Sequence, residues 1–239
     1  MNTTSPVFCA IDRPDLSGAL LLARSLDARA VGGLKLGLEF VTANGPSGVR
    51  SIVDLGLPVF LDLKFHDIPN TVAGAIRAAA DLGVSMLTLH LQGGAAMLWA
   101  AADAVKELGP NRPLLLGVSV LTSMDDKDMA EVGVEGTAEQ QVLRLAMLAR
   151  KTGLDGMVCS PREIKSLRQT FGDEMKLVVP GIRPAGAAAG DQKRTLTPGE
   201  AIQAGADYLV IGRPITSARS PRAAVLAIRD EIEAARLAA

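Results

Sequence analysis

The chain has 239 residues, with 25 Lys and Arg against 26 Asp and Glu and a formal net charge of −1. This balance excludes the strongly basic surface typical of nucleic-acid-binding proteins, and an aromatic content of 3% leaves few rings to stack on bases. No apolar stretch reaches the roughly 18 residues that cross a bilayer, and the first residues do not resemble a signal peptide. Cys9 and Cys159 lie in apolar runs, so we expect two reduced thiols in a cytoplasmic protein.

Eight short apolar runs, rich in leucine and β-branched side chains, are predicted to be strands. In chain order they cover residues 7–12, 33–37, 59–64, 86–90, 114–121, 156–160, 176–180 and 208–212. Stretches with helical spacing lie between them, at residues 15–26, 71–82, 95–108, 137–151, 161–171 and 221–237. Pro198 is expected to open a further short helix before the last strand.

This alternation predicts an α/β fold, specifically a (β/α)8 TIM barrel that forms a single domain over residues 1–239. A doubly wound open sheet is the main alternative, but it does not need eight parallel strands in a chain of this length. The longest irregular stretch, residues 183–195, is rich in Gly and Ala and is long enough to form an active-site loop.

Polar or charged side chains recur at or just after the ends of the predicted strands. They are Asp12, Lys35, Asp62 with Lys64, His90, Thr122, Ser160, Arg183 and Arg213. In a barrel these positions ring the carboxyl ends of the strands, where barrel enzymes keep their active sites. A strand that simply ends in a polar surface residue explains any one position, but it explains the whole set poorly.

The third predicted strand carries two opposite charges. Because side chains alternate along a strand, Asp62 and Lys64 are predicted to share the face inside the barrel mouth, with Leu61 and Leu63 facing the helices. A lysine ammonium held beside a carboxylate is suited to donate a proton. Asp67 lies three residues further on, where it can belong to this site or reach another subunit. A structural salt-bridge network is the alternative interpretation of the same pattern.

Residues 62–71 read Asp-Leu-Lys-Phe-His-Asp-Ile-Pro-Asn-Thr, which resembles the signature of the orotidine 5'-phosphate decarboxylase family, bacterial type. Further segments resemble the family in the same order along the chain: Cys-Ala-Ile-Asp at 9–12, Leu-Lys-Leu-Gly at 34–37, Leu-Thr-Ser-Met at 121–124, Val-Pro-Gly-Ile-Arg at 179–183 with Gly-Asp-Gln-Lys-Arg at 190–194, and Val-Ile-Gly-Arg-Pro-Ile at 210–215. Each segment alone is a modest signal, but together they make the resemblance specific and extend it over almost the whole chain. It implies a TIM-barrel enzyme that converts orotidine 5'-phosphate to UMP without a metal or cofactor.

The resemblance also implies a role for each matching residue. Lys64 would protonate C6 of the pyrimidine as CO2 leaves, and Asp62 would lie against the substrate carboxylate. Asp67 would come from the other protomer of a homodimer with shared active sites. The remaining substrate contacts implied are Asp12 and Lys35 at the ribose, Ile68 and Thr71 in the signature segment, Thr122 with Ser123 at the pyrimidine edge, and Arg183, Gln192, Gly212 and Arg213 around the phosphate.

Two other functions remain open from the sequence. A sugar-phosphate lyase of the same superfamily shares the Asp-x-Lys-x-x-Asp pattern but uses Mg²⁺, held by a glutamate where this chain has Lys35. The positive charge of Lys35 would repel such a cation. A non-catalytic sensor of a phosphate ligand would explain Gln192 and Arg213, but it leaves Asp62 and Lys64 without a role.

The histidines and glycines indicate no other chemistry. His66 and His90 are expected to be structural, and without clustered Cys and His ligands no zinc site is predicted. No glycine-rich turn follows the first strand, so a dinucleotide site is not expected. Phosphate binding by backbone N–H groups after the seventh and eighth strands is expected instead, as in many TIM barrels.

Overall fold

The computed structural model of the chain describes residues 5–184 and 195–238. Its eight strands form a closed barrel in which each strand pairs in parallel with the next and the eighth pairs with the first. They are β1 Val7–Ala10, β2 Gly33–Leu36, β3 Val59–Phe65, β4 Met86–His90, β5 Leu114–Val118, β6 Gly156–Val158, β7 Lys176–Val179 and β8 Tyr208–Ile211. The predicted (β/α)8 TIM barrel is confirmed, although the predicted strands mostly run one to three residues past the observed carboxyl ends.

The described helices cover the outside of the barrel. They are α1 Leu16–Ser25, α2 Leu38–Val53, α3 Pro69–Ala80, α4 Gly94–Lys106, α5 Asp126–Glu131, α6 Ala138–Thr152, α7 Ile164–Phe171, α8 Pro198–Gln203, α9 Arg213–Thr216 and α10 Pro221–Leu237. Helices α2, α5 and α9 were not predicted; α2 contains Gly45 at φ 60° followed by Pro46, a pair that obscures helical periodicity. Within residues 5–184 and 195–238, no helix is both long and apolar enough to cross a membrane.

The apolar core has two layers. Leu61 and Leu63 face outward and pack in the layer between strands and helices, as the alternation along β3 predicts. The barrel interior is a smaller cluster of Phe8, Ala10, Phe60, Met86, Leu116, Val178 and Val210. Phe8 makes edge-to-face contacts with Phe60 and Tyr208, at ring-centroid distances of 6.1 and 5.7 Å. These side chains fill the interior of the barrel.

Two carboxylates link neighbouring strands at the amino end of the barrel. Asp155, just before β6, accepts hydrogen bonds from Arg112 at 2.7 and 2.6 Å and from the backbone N–H of Leu115 at 2.7 Å. Asp207 occupies the equivalent place before β8, where it accepts from the backbone of Leu177 at 2.8 Å and also pairs with Lys176 and Arg168. Each carboxylate therefore ties the start of its own strand to the preceding strand.

The two cysteines are free and buried. Cys9 lies in β1 and Cys159 follows β6. Burial raises the pKa of the Cys9 thiol to about 12, with a smaller contribution from Asp12, and burial also raises the pKa of Cys159. Both side chains therefore behave as small apolar groups in the core.

Candidate active site

A cavity of about 560 Å³ opens at the carboxyl ends of the strands. This volume lies within the range of small-molecule sites. Ala10, Phe60 and Val210 of the interior cluster form part of its lining. The predicted site residues that line it are Asp12, Lys35, Asp62, Lys64, Thr122, Arg183, Gly212 and Arg213.

Four of these side chains, Asp12, Lys35, Asp62 and Lys64, form a continuous charge network. Lys64 Nζ donates to Asp62 Oδ2 at 2.9 Å, and Lys35 Nζ lies 3.7 Å from the same oxygen. Lys35 Nζ also donates to Asp12 Oδ1 at 3.2 Å. The side chains of Lys35 and Asp62 are 11% and 13% exposed, whereas that of Lys64 is 30% exposed. Asp62 thus lies between two ammonium groups, and Lys64 is the more accessible of the two.

The backbone at Lys64 departs from a regular strand. Lys64 has a φ of 52°, and it is the one non-glycine residue in the described chain with a positive φ. Leu61 pairs with Leu87, but Phe65 pairs with Leu89, so β3 contains two more residues than β4 over this stretch. Left-handed backbone at a bulky residue costs roughly 1–3 kcal/mol and is concentrated at functional sites. Asp62 and Lys64 lie together, as their two-residue spacing predicts. The prediction of a regular strand through Lys64 is wrong, because β3 has a bulge there.

A buried threonine on β4, which was not predicted to be a site residue, spans this bulge. The backbone N–H of Lys64 donates to Thr88 Oγ1 at 2.9 Å, and that hydroxyl donates to Asp62 Oδ1 at 2.9 Å. Thr88 is fully buried. Its signal in the sequence is a single hydroxyl in the apolar run Met86–His90, which by itself does not identify a site residue.

Two guanidinium groups occupy another part of the cavity lining. Arg183 follows β7, and its Nη1 donates to the Ile182 carbonyl at 2.9 Å. Arg213 begins α9 directly after Gly212. Burial and the neighbouring charge of Arg213 lower the pKa of Arg183, which indicates that the two cations repel each other. Such a positive region is suited to bind an anion. Gln192, predicted to act with them, lies outside the described residues.

Four predicted residues do not line the cavity of their own chain. Asp67, Ile68 and Thr71 lie on the exposed segment between β3 and the first turn of α3, with Ile68 67% exposed. The Asp67 carboxylate accepts from the backbone N–H of Ile68 at 2.7 Å. Ser123 is exposed next to Thr122, which does line the cavity. The structure therefore separates the Asp67 segment from the charge network within one chain.

The two histidines pack against each other, with their ring planes tilted by 37°, near the charge network. The rings of His66 and His90 are 5.4 Å apart, with His66 exposed and His90 half-buried. Burial lowers the pKa of His90, and the nearby His66 and Lys64 lower it further. His90 Nδ1 is buried and has no hydrogen-bond partner in the part of the chain that is described. Residues 5–184 and 195–238 also contain no group of three His, Cys, Asp or Glu side chains arranged to hold a metal ion.

A closed parallel (β/α)8 barrel with a charged cavity at its carboxyl end is the architecture of the TIM-barrel enzymes. The paired Asp62 and Lys64, together with two guanidinium groups in the same cavity, suit a small substrate that carries negative charge. The model of the Orotidine 5'-phosphate decarboxylase / HUMPS family matches residues 5–228. The chain belongs to this family.

Named relatives resemble the chain over nearly its full length. The chain is 52% identical over 238 residues to an orotidine 5'-phosphate decarboxylase of Moorella thermoacetica, covering 98% of this chain and 94% of the relative. It is 54% identical over 228 residues to the protein of the same name in Nitrosococcus oceani, covering 95% and 97% of the two chains. The crystal structure of orotidine 5'-phosphate decarboxylase from Lactobacillus acidophilus matches with a TM-score of 0.85 and 37% identity, covering 95% of this chain and 99% of that one.

Proposed function

We propose that this chain decarboxylates orotidine 5'-phosphate to UMP, the last step of de novo pyrimidine nucleotide synthesis, with Lys64 as the proton donor. The observation that carries the proposal is the 2.9 Å contact between Lys64 Nζ and Asp62 Oδ2 inside the cavity. Family membership and the names of the relatives support the choice of substrate.

The proposed chemistry is a replacement of CO2 by a proton at C6. Breaking the bond between C6 and the carboxylate carbon leaves an electron pair on C6, where no carbonyl is placed to delocalise it. The positive charge of Lys64 stabilises that electron pair, and its N–H bond then breaks as the proton moves to C6. Fixed charge aimed at developing charge is usually the largest catalytic contribution, and proton donation adds to it.

Asp62 has two parts in this proposal. It holds the Lys64 ammonium in place, and its own negative charge lies against the substrate carboxylate, which is lost in the reaction. Lys35 and Asp12 extend the network, and the proposal assigns the ribose hydroxyls to them as hydrogen-bond partners. The charge network therefore both binds the sugar and orients the reacting groups.

The phosphate is assigned to the cationic part of the cavity. Arg183, Gly212 and Arg213 line it, and Gln192 is proposed to join them. The phosphate is remote from the reacting carbon, so its binding energy can be used to position the pyrimidine. Thr122, with Ser123 beside it, is proposed to contact the pyrimidine edge.

The charge network also supports catalysis without a metal ion. Lys35 Nζ lies 3.2 Å from Asp12 Oδ1 and 3.7 Å from Asp62 Oδ2, so an ammonium group already lies between the two carboxylates. A divalent cation that bridged the same carboxylates would be repelled by this lysine and by Lys64. The proposal therefore assigns no metal and no cofactor to the reaction.

We also propose a homodimer in which Asp67 of the partner subunit completes each site. Asp67, Ile68 and Thr71 are exposed in one chain, and Ile68 presents an apolar side chain 67% exposed to solvent. A two-fold interface would cover Ile68 and bring each segment to the other protomer's cavity.

The two free, buried thiols support a cytoplasmic location, where cysteines stay reduced.

The direct test is the ultraviolet absorbance change when the purified chain is mixed with orotidine 5'-phosphate, with and without EDTA. We expect conversion to UMP at the same rate in both samples. Activity that EDTA abolishes and Mg²⁺ restores would contradict metal-free catalysis and favour the lyase alternative. Tight binding of the nucleotide without release of CO2 would instead indicate a ligand sensor.

A further inference from the structure

Thr88 occupies an unusual place in the barrel interior. It lies on β4 between Met86, which belongs to the apolar interior cluster, and His90, and it pairs in register with Leu116 of β5. Its side chain is fully buried, yet it carries a hydroxyl. A buried hydroxyl in such surroundings is costly unless it is hydrogen-bonded, so the partners of Thr88 indicate what the residue is for.

Those partners are the two residues at the centre of the proposed reaction. Thr88 Oγ1 accepts from the backbone N–H of Lys64 at 2.9 Å and donates to Asp62 Oδ1 at 2.9 Å. Asp62 Oδ2 in turn accepts from Lys64 Nζ at 2.9 Å. The three groups therefore form a closed ring of hydrogen bonds that joins the backbone of Lys64, through Thr88 and Asp62, to its own ammonium.

The bulge explains why a hydroxyl is needed at this position. β3 has two extra residues opposite Thr88, because Leu61 pairs with Leu87 and Phe65 pairs with Leu89. The N–H of Lys64 meets the Thr88 hydroxyl rather than a carbonyl of β4. A hydroxyl can accept one hydrogen bond and donate another, so one atom serves both the N–H of Lys64 and the carboxylate of Asp62.

We propose that Thr88 is a positioning residue that holds Lys64 in its left-handed backbone conformation and orients the Asp62 carboxylate toward the ammonium. The inference rests on the proposed decarboxylation and assigns to Thr88 an effect on the chemical step. Thr88 is not among the residues that line the cavity, so it acts through Lys64 and Asp62. Substrate affinity, most of which the proposal assigns to the phosphate and the cationic part of the cavity, should depend on Thr88 much less than turnover does.

Thr88→Val tests the proposal, because it keeps the shape of the side chain and removes both hydrogen bonds. We expect kcat on orotidine 5'-phosphate to fall roughly 10- to 150-fold, the loss expected for hydrogen bonds to charged groups. KM and the affinity for UMP should stay within about threefold. Thr88→Ser keeps the hydroxyl and should recover most of the lost kcat.

Ser85→Ala is the matched control. Ser85 lies just before β4, and its Oγ donates to the carbonyl of Val59 at the start of β3 at 2.9 Å, so it links the same two strands at the other end of the barrel. Its loss should leave kcat within about twofold of the original chain. A similar fall in kcat in Ser85→Ala and Thr88→Val would mean that kcat falls whenever a hydrogen bond between these two strands is lost. This result would overturn the proposal.

The possible outcomes distinguish a failure of the proposed decarboxylation from a failure of the proposed role of Thr88. An original chain that does not convert orotidine 5'-phosphate would refute the proposed function. An active original chain with a Thr88→Val variant whose kcat is unchanged would refute the role of Thr88 alone. If Thr88→Val does not fold, as judged by thermal melting, Thr88→Ser and Thr88→Ala decide instead. These two variants differ by one oxygen atom, and equal kcat values for them would again refute the role.

Discussion

Both ends of the barrel carry paired acidic and basic side chains, but the electrostatic surroundings of these charges differ. At the amino end, Asp155 accepts two hydrogen bonds from Arg112 and one from the backbone of Leu115, so its negative charge is paired with that guanidinium. At the carboxyl end, the single carboxylate of Asp62 contacts the ammonium groups of both Lys35 and Lys64. The carboxylates at the amino end raise the pKa of Arg112 and of Lys176, whereas at the carboxyl end burial and the neighbouring charge of Arg213 lower the pKa of Arg183.

The backbone shows the same contrast. Where Asp155 meets β5, the pairing of β5 with β6 is in regular register from Leu116 to Val118. Where Asp62 lies, the pairing of β3 with β4 is interrupted and Lys64 has a positive φ. Strain and like charges lower stability, and proteins retain them where a ligand or a reaction uses them. Substitutions at the carboxyl end should therefore change activity, whereas substitutions at the amino end should change stability.

Lys64→Ala should have the largest effect, because it removes the proposed proton donor and, with it, the positive charge proposed to stabilise C6. General acid catalysis alone contributes roughly 10²–10⁴-fold, so we expect kcat to fall by at least that factor. UMP should still bind and the barrel should still melt cooperatively. A kcat within tenfold of the original value, measured by absorbance, would contradict the proposed role.

Lys64→Gly is the matched control for this variant. It should be equally inactive but more stable than Lys64→Ala by about 1 kcal/mol, because glycine adopts the observed φ without steric cost. Equal stabilities in urea titrations would mean that the backbone relaxes when the lysine is removed.

Arg213→Ala should have the next largest effect on activity. Hydrogen bonds to a charged group contribute about 1.5–3 kcal/mol, so kcat/KM for orotidine 5'-phosphate should fall roughly 10- to 150-fold. The same variant should change kcat/KM much less for orotidine, which has no phosphate. Equal losses on the two substrates would show that Arg213 does not act through the phosphate.

Mixing two variants that are each expected to be inactive tests whether Asp67 serves the partner subunit of the proposed homodimer. If Asp67 serves the other protomer, a heterodimer of Lys64→Ala and Asp67→Ala chains has one site with both lesions and one with neither. With random exchange half the dimers are mixed, so about a quarter of all sites should regain activity by two-fold symmetry. If exchange is shown to occur and no activity returns, Asp67 acts within its own chain.

At the amino end, Arg112→Ala should lower stability and leave catalysis unchanged. It removes both guanidinium contacts of Asp155 and leaves a largely buried carboxylate with the N–H of Leu115. We expect the free energy of unfolding in urea to fall by about 1–3 kcal/mol. A loss of kcat comparable to that of Arg213→Ala would remove the distinction between the two ends.

The smallest effect is a pH-dependent one at Asp27. Hydrogen bonds from the side chain and backbone of Arg29 lower the pKa of Asp27, and Arg222 adds to the effect. A lowered pKa in the folded chain stabilises it above the unfolded-state pKa of roughly 3.9, and this contribution is lost as the pH falls. Asp27→Asn should therefore be less stable than the original chain at pH 7 and nearly equal to it at the lowest pH at which both fold. A stability difference that grows on acidification would contradict this sign.

The sequence predicted the barrel well because eight apolar runs alternate with helical stretches. Helix α2 was not predicted, because Gly45 and Pro46 interrupt its apolar spacing. In the structure, helical backbone resumes after this kink. Several strands were predicted to end too late. In β5, for example, the apolar residue Val120 lies beyond the last paired residue, Val118.

The charged residues of the site can be predicted from the sequence, but the backbone conformation at Lys64 cannot. Asp62 and Lys64 are predicted from a two-residue spacing, but the two-residue excess of β3 over β4 depends on pairing with a distant strand. Thr88 could not be found for the same reason, because its partners on β3 are 24 and 26 residues away in the chain. The roles of Asp67 and Gln192 stay predictions.

The two buried cysteines have a practical consequence for labelling. The thiolate is the reactive form of cysteine, and the raised pKa values of Cys9 and Cys159 keep both thiols protonated near neutral pH. Maleimide reagents should therefore leave the native chain almost unmodified without any prior cysteine replacement. A single cysteine introduced at an exposed helix position such as Met147 would then carry one fluorophore per chain. Energy transfer between donor- and acceptor-labelled chains would report subunit exchange directly.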